Sequence, residues 1–211
     1  MKKKYSSFYI SIAISLLVLA AILLSIRFLD EGIAVRVMQF IRSIRAIHKV
    51  TEHIPDILPD IVAVGTILMW LIYFYRLHKK LNDAKTHFLL LAAVTLPVSY
   101  ILKTYFQFMF GRTTVRSWLL SHKPLRFEWF HGFGGASFPS GHMTVFAAFG
   151  AALLIYFPKL RKPVIIFLIV LGVALIGTDY HFLSDVIAGA YLGFATTYVL
   201  FYLFEKIKSK F

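Results

Sequence analysis

No cysteine occurs anywhere in the 211-residue chain. This absence excludes disulfide bonds, thiolate catalysis and metal sites with cysteine ligands. Charged residues are also scarce, at 16% of the sequence, and acidic residues are the rarer kind, with 10 Asp and Glu against 23 Lys and Arg. Hydrophobic residues instead reach 59%, well above the ~45–50% of soluble domains. The composition therefore excludes an ordinary soluble domain and indicates an integral membrane protein.

The net charge of +13 raises the question of nucleic-acid binding. The Lys and Arg residues, however, stand in short clusters at the ends of apolar runs, which is the pattern of membrane topology signals. We therefore expect no nucleic-acid partner.

Six apolar segments each approach the ~20 residues that a helix needs to cross a bilayer. They cover residues 8–26, 59–75, 88–110, 138–157, 163–178 and 183–204. The first is too long for a typical signal-peptide core and lacks a small-residue cleavage site, so we expect it to be retained. Repeats and linkers are absent from the sequence. It predicts one all-α domain, residues 1–211, built as a membrane bundle of six transmembrane helices.

Basic clusters also predict the orientation of this bundle. They lie at both termini, between the second and third apolar segments, and between the fourth and fifth, so these parts are expected on the cytoplasmic side of the inner membrane. The first outer loop, residues 27–58, carries Arg36, Arg42, Arg45 and Lys49 at partly helical spacing. It predicts an amphipathic helix on the membrane surface, serving either as a plain anchor or as a binder of lipid headgroups.

The most informative stretch is Phe138-Pro139-Ser140-Gly141-His142, which stands directly before an apolar run. The first turn of a helix offers unpaired backbone N–H groups and the positive end of the helix dipole, and together these attract anions. His142 in that turn could donate a proton to a bound anion. The same residues are also ordinary at the start of any helix.

A second pair of candidate residues begins the last apolar segment. His181 and Asp185 are four residues apart, a spacing that places both on one face of a helix. A carboxylate that binds one imidazole nitrogen fixes the tautomer and makes the other nitrogen a better base or nucleophile. A His–Asp pair that only caps the helix start would have the same spacing.

The alternation of helices across the membrane brings these residues to one face. Arg112 follows the third apolar segment, His142 begins the fourth, and His181 and Asp185 begin the sixth. A phosphate there could be bound by Arg112, attacked by His181 and protonated at its leaving oxygen by His142. A metal site made of the two histidines and Asp185 is an alternative. The surrounding Arg and Lys favour an anion, so we expect no metal.

Three stretches resemble motifs of the type-2 phosphatidic acid phosphatase superfamily, with matching order and spacing over roughly residues 60–205. Residues 138–142 resemble its central Pro-Ser-Gly-His motif, and His181 with Asp185 resembles the end of its third motif, S-R-x5-H-x3-D. Phe110-Gly111-Arg112 resembles the Phe-Gly-Arg often embedded in its first motif, K-x6-R-P. The resemblance implies a helical core, no required metal or cofactor, and hydrolysis through a phosphohistidine.

The resemblance also implies a role for each matching residue. His181 would be the nucleophile, Asp185 its orienting partner and His142 the general acid. The phosphate would be bound by Ser140, the Gly141 backbone, Arg112 and Lys103.

Both outer motifs depart from the family pattern. Lys103 and Arg112 are separated by eight residues instead of six, and alignment on Phe-Gly-Arg puts Gln107 at the lysine position. In the third motif, Ala174 and Leu175 stand where Ser and Arg are expected. The candidates to replace this missing arginine are Arg116, Lys123 and Arg126.

We therefore expect a membrane lipid phosphatase whose site faces the periplasm. Its substrate would be phosphatidic acid, phosphatidylglycerophosphate, undecaprenyl pyrophosphate or a lipid A phosphate. A lipid phosphotransferase would share the first step, and a catalytically weak relative that binds phospholipid headgroups would fit the missing arginine. A transporter fits less well because the ionisable residues lie at helix ends instead of mid-membrane.

Overall fold

The computed structural model describes residues 2–43, 57–132 and 135–209. These residues form an all-helical structure, apart from one isolated bridge between Arg112 and Phe127. The α-helices are α1 (Lys2–Leu24), α2 (Asp30–Ser43), α3 (Leu58–His78), α4 (Ala84–Phe110), α5 (Val115–Leu119), α6 (Gly141–Tyr156), α7 (Arg161–Gly177) and α8 (Leu183–Lys208). A π-helical segment (Ser25–Leu29) joins α1 to α2, and a 3₁₀ turn (Pro158–Leu160) precedes α7.

Five of the six predicted spans are helices long and apolar enough to cross a membrane. The sixth, predicted over residues 138–157, is the shorter helix α6, with 16 residues, and its span is not confirmed. Sixteen residues reach only about 24 Å, short of a hydrocarbon core of ~30 Å. Burial explains how so short an apolar helix is accommodated, because Ala147, Ala148 and Ala151 are fully enclosed by neighbouring helices.

The first helix continues past its predicted end at residue 26. Helical structure runs through the π-helical segment into α2, and the apolar stretch covers Tyr9–Phe40. Ala34 of α2 is buried and packs against Val115 and Phe182. A separate surface helix in the first outer loop is therefore not confirmed, because α2 docks on the bundle. Arg45 and Lys49 lie outside the described residues.

Helices α6 and α8 cross at small residues, which allows their backbones to touch. A Cβ atom on Gly193 would lie 2.2 Å from the carbonyl oxygen of Thr144. Nearby, the Thr197 hydroxyl donates a hydrogen bond to the carbonyl of Ala148 at 2.9 Å. This close crossing holds the N-terminal ends of both helices side by side, and these ends carry the candidate site residues.

The α3–α4 turn is capped by an acidic residue. Asp83 accepts a hydrogen bond from the backbone N–H of Thr86 and forms an ion pair with Arg76. These contacts, the backbone hydrogen bond first, lower the pKa of Asp83 to about 2. The turn therefore starts α4 with a charged N-cap, which is favourable at the positive end of the helix dipole.

Candidate active site

A cavity of about 270 Å³ lies where the ends of α3, α4 and α6 meet the segment before α8. Five polar residues that the sequence singled out line it together: Lys103, Gln107, Arg116, His142 and His181. The two histidines come from different helix starts, so their meeting depends on the crossing of α6 and α8.

His142 occupies the first turn of α6, as the Pro-Ser-Gly-His motif predicts. Ser140 is the N-cap, and its hydroxyl accepts a hydrogen bond from the Met143 N–H at 3.4 Å. The Ser140 N–H in turn donates to the carbonyl of Asp185 at 3.0 Å. The His142 ring is half-buried and meets Tyr180 edge to face, with ring centroids 5.6 Å apart. The motif therefore places a histidine at the positive end of a helix, inside the cavity.

His181 is buried two residues before α8, with Asp185 in the first turn of that helix. Its Nδ1 atom lies 3.5 Å from Oδ2 of Asp185. This distance is longer than a regular hydrogen bond, and Nδ1 has no hydrogen-bond partner among the described residues. The same Oδ2 accepts the Phe182 N–H at 3.0 Å. Asp185 thus caps the start of α8 and lies beside the imidazole, and its role in orienting His181 stays a prediction.

Arg112 is 2% exposed and is not among the residues that line the cavity. Its Nη1 atom donates to Oδ1 of Asp185 at 2.5 Å and to the Ser184 hydroxyl at 2.6 Å. Its Nη2 atom donates to Oδ2 of Asp30 at 2.7 Å. The guanidinium also stacks 4.2 Å from the centroid of the Phe182 ring. Arg112 therefore lies behind the His–Asp pair and bridges two carboxylates.

Asp30 is the residue that sequence reasoning missed. Asp30 begins α2 and is 1% exposed. It lies far along the chain from the three motifs. The available signal was a pair of adjacent carboxylates, Asp30 and Glu31, within an apolar stretch that spans Tyr9–Phe40. Ionisable residues in such stretches are rare and usually functional.

Lys103 and Gln107, the two candidates for the family's lysine position, share one face of α4. The Lys103 ammonium donates to Oε1 of Gln107 at 3.3 Å and lies 4.4 Å from the centroid of Tyr100. Gln107 donates to the carbonyl of Pro139 at 3.0 Å. Lys103 therefore brings its charge to the cavity from one helical turn before Gln107.

The structure separates the three candidates for the missing arginine. Arg116 of α5 lines the cavity with both histidines, donates to the carbonyl of Thr178 at 3.1 Å and stacks 5.0 Å from the centroid of Tyr180. Lys123 and Arg126 instead line a neighbouring cavity of about 410 Å³.

Arg126 is exposed and pairs with Glu128. Leu175, which stands at the family's arginine position, is buried in an apolar cluster with Met143 and Val186. Arg116 is thus the replacement that the geometry favours. No group of three or more His, Asp and Glu side chains in the described ranges is arranged to hold a metal ion.

Comparison with known proteins identifies the family. The family model of the PAP2 superfamily matches residues 84–209. The chain belongs to the PAP2 superfamily. The matched segment of this PAP2 protein runs from α4 through α8 and contains every candidate residue except Asp30. The family prediction made from the three motifs is therefore confirmed.

Individual relatives of this PAP2 protein have more specific names. The lipid A 1-phosphatases of Rhizobium etli and Rhizobium johnstonii are each 46% identical to it over 57 residues, which is 27% of this chain and 25% and 23% of theirs. The match thus spans about a quarter of the length of these relatives. The crystal structure of a transmembrane PAP2-type phosphatidylglycerolphosphate phosphatase from Bacillus subtilis is similar with a TM-score of 0.44 and 19% identity, covering 93% of this chain and 96% of that one.

Proposed function

We propose that this chain is a membrane lipid phosphatase that hydrolyses a lipid phosphate or pyrophosphate through a phosphohistidine intermediate. The observation that carries the proposal is the shared cavity, in which two histidines from separate helix starts meet two cations, Lys103 and Arg116. Membership of the PAP2 superfamily supports the same chemistry.

In the first step, Lys103 and Arg116 bind the non-bridging oxygens of the phosphate. The Nε2 atom of His181 attacks phosphorus, while Asp185 holds the proton on Nδ1. The bond between phosphorus and the lipid oxygen breaks, and His142 donates a proton to that leaving oxygen. A positioned acid typically contributes ~10²–10⁴-fold to such a step.

In the second step, water attacks the phosphorus of the phosphohistidine. His142, now neutral, accepts a proton from this water, and the phosphorus–nitrogen bond breaks. Inorganic phosphate leaves, and His181 regains its electron pair. No metal or cofactor takes part in this proposed sequence.

The start of α6 adds donors to the anion site. The Gly141 backbone lines the cavity, and a Cβ atom on Gly141 would lie 3.2 Å from Cδ and 3.3 Å from Nζ of Lys103. Glycine therefore leaves room for the lysine, while Ser140 shapes the turn. Arg112 contacts two carboxylates, and Arg126 lines the neighbouring cavity. Direct phosphate binding by either arginine therefore stays a prediction.

The substrate we propose is an inner-membrane lipid with a terminal phosphate, presented at the periplasmic face. The names of the curated relatives make a lipid A phosphate the first choice, followed by phosphatidylglycerophosphate, phosphatidic acid and undecaprenyl pyrophosphate. A lipid hydroxyl in place of water in the second step would make the protein a phosphotransferase. Headgroup binding without turnover is the second candidate, favoured by Gln107 and Leu175 at the family's cationic positions.

Phosphate release from a panel of these lipids, with and without EDTA, tests the proposal. We expect purified wild type to release phosphate in both conditions and His181→Ala to release none while remaining folded. A labelled phosphate donor should give acid-labile, base-stable labelling of wild type and none of His181→Ala. His78→Ala, an exposed histidine at the opposite end of α3 from the cavity, is the matched control. Turnover by His181→Ala would refute the mechanism. An inactive wild type would instead favour the second candidate function, headgroup binding without turnover.

A further inference from the structure

Asp30 is a buried charge that the proposed reaction does not use. It is 1% exposed, and burying an ionised carboxylate is unfavourable unless it is paired and hydrogen-bonded. Its Oδ1 atom accepts the Ser184 N–H at 3.0 Å, and its Oδ2 atom accepts from Arg112 at 2.7 Å and from the Ser184 hydroxyl at 2.5 Å. The partners of this carboxylate are therefore Ser184, which precedes Asp185 at the start of α8, and Arg112, which itself contacts Asp185.

The contacts form a continuous path to the candidate nucleophile. Asp30 holds one end of the Arg112 guanidinium, the other end holds Oδ1 of Asp185, and Oδ2 of Asp185 faces Nδ1 of His181. A guanidinium is a planar fork, so two fixed ends determine its orientation. Neither Asp30 nor Arg112 lines the catalytic cavity. Asp30 therefore acts on the proposed reaction through the groups that it contacts, Arg112 and Ser184.

The π-helical segment places Asp30 on the buried side of its helix. The Asp30 N–H donates to the carbonyl of Ser25, five residues earlier, instead of the residue four earlier as in an α-helix. Ile22, Ser25, Asp30 and Ala34 are all buried. The wide turn thus brings Ser25 and Asp30 to one face, which packs on the starts of α5 and α8. Single π turns of this kind are frequent at functional sites.

Charge balance gives Asp30 a further role. The group of Asp30, Arg112 and Asp185 carries a net charge of −1, because one guanidinium lies between two carboxylates. Without the Asp30 charge, Arg112 would neutralise Asp185 alone, and the group facing His181 would be neutral. Positive charge that develops on the imidazole during attack on phosphorus is better stabilised by the net negative group.

We propose that Asp30 is a positioning residue of the active site, acting through Arg112 to hold Asp185 and His181 in the orientation for phosphoryl transfer. The proposal rests on the proposed function for its kinetic part only. Asp30 lies outside the segment that matches the PAP2 superfamily, residues 84–209. Helix α2 thereby adds a positioning residue to a site whose reacting groups all come from the matched segment.

The kinetic test compares Asp30→Asn with Glu31→Gln, which removes one acidic charge from an exposed neighbour on the same helix turn. We expect Asp30→Asn to lower kcat by about tenfold or more, the scale seen when an orienting partner is removed, with KM within about twofold. Glu31→Gln should behave as wild type. In an Arg112→Met background, Asp30→Asn should have little additional effect, because the two residues act as one unit.

Nitrogen NMR of histidine-labelled protein tests the geometry without requiring turnover, with His181 assigned from the spectrum of His181→Gln. Wild type should carry the His181 proton on Nδ1, facing Asp185, whereas Asp30→Asn should give a mixture of tautomers. Unchanged kcat and an unchanged His181 signal in Asp30→Asn would overturn the proposal. A lower melting temperature without either change would reveal a purely structural residue and also overturn it. If wild type releases no phosphate, the proposed function fails, and the NMR comparison still decides the role of Asp30.

Discussion

At the scale of single residues, the cavity obtains its positive charges from positions that differ from the family motifs. Lys103 lies one helical turn before Gln107, and Arg116 comes from α5, whereas the family's arginine position on α7 holds the buried Leu175. The electrostatic attraction of a bound phosphate depends on its distance from the charged group and not on which helix carries that group. Degenerate motifs are therefore compatible with an intact anion site.

Arg116 and Arg126 provide a matched pair for testing this relocation. We expect Arg116→Ala to lower kcat/KM about tenfold to a hundredfold, the range for a lost hydrogen bond to a charged group. Arg116→Lys should recover only part of this loss, because lysine lacks the bidentate fork. Arg126→Ala should change kcat/KM little, because Arg126 lines the neighbouring cavity and pairs with Glu128. Steady-state kinetics with a short-chain lipid phosphate in neutral detergent measure all three, and a larger effect of Arg126→Ala would reverse the assignment.

His142→Ala should slow turnover most for substrates with poor leaving groups. An acid that protonates the leaving oxygen matters less when that oxygen is already acidic. An alkyl monophosphate should therefore lose more rate than a pyrophosphate or an aryl phosphate. The measurement is kcat for wild type and variant on each substrate. Equal losses on all of them would indicate that His142, which packs against Tyr180, supports the site structurally.

At the scale of helices, the site depends on how closely α6 and α8 approach each other. Gly189 and Gly193 of α8 meet the backbone of α6, and Ser140 is hydrogen-bonded to Asp185 at the shared end. His142 and His181 are carried on the starts of these two elements. A small change in the crossing therefore moves both histidines at once.

Gly193→Ala tests this dependence. Its new Cβ atom would lie 2.2 Å from the Thr144 carbonyl oxygen and 2.8 Å from the Ala148 nitrogen, so the helices must separate. Overpacking of this kind typically costs ~1–3 kcal/mol, and we expect a lower melting temperature together with reduced turnover. Gly32→Ala is the control, because nothing lies within 4 Å of its Cβ position, and alanine favours helix over glycine. Thermal unfolding in detergent compares them, and equal melting temperatures would contradict the close crossing.

At the scale of the whole molecule, the proposed site occupies one end of the bundle. The N-terminal ends of α3, α6 and α8 meet the C-terminal end of α4 around the cavity. The turn between α3 and α4 lies at the ends of these two helices that are far from the cavity. Its basic neighbours are Arg76, Lys79 and Lys80. The distribution of charge along the sequence predicts that this turn is cytoplasmic and that the cavity faces outward.

The absence of cysteine makes this orientation simple to measure. We expect a membrane-impermeant maleimide to label Ser121→Cys in intact spheroplasts and to label Asn82→Cys only after lysis. Both positions are exposed, one in the segment between α5 and α6 and the other in the α3–α4 turn. Both variants should retain turnover because neither residue lines the cavity. The reverse labelling pattern would place the site on the cytoplasmic side.

Short-range patterns were sufficient to predict the family and to single out the two histidines that share the cavity. His142 follows its own helix cap, and His181 is four residues from Asp185, so local sequence identifies both. Apolar length likewise predicted the helical membrane character. These properties depend on neighbours within one or two helical turns, where spacing alone determines which side chains share a face.

Only the tertiary structure decided which charges meet. The contacts of Arg112 with Asp30 and Asp185 join residues 82 and 73 positions apart, and no local pattern encodes such pairs. The same reason explains why Arg116 lies beside the histidines while Arg126 does not. Each outcome depends on how helices cross, which is set by packing between distant segments. The sequence by itself determined the chemistry available to this protein, and packing decided which of those groups lie together.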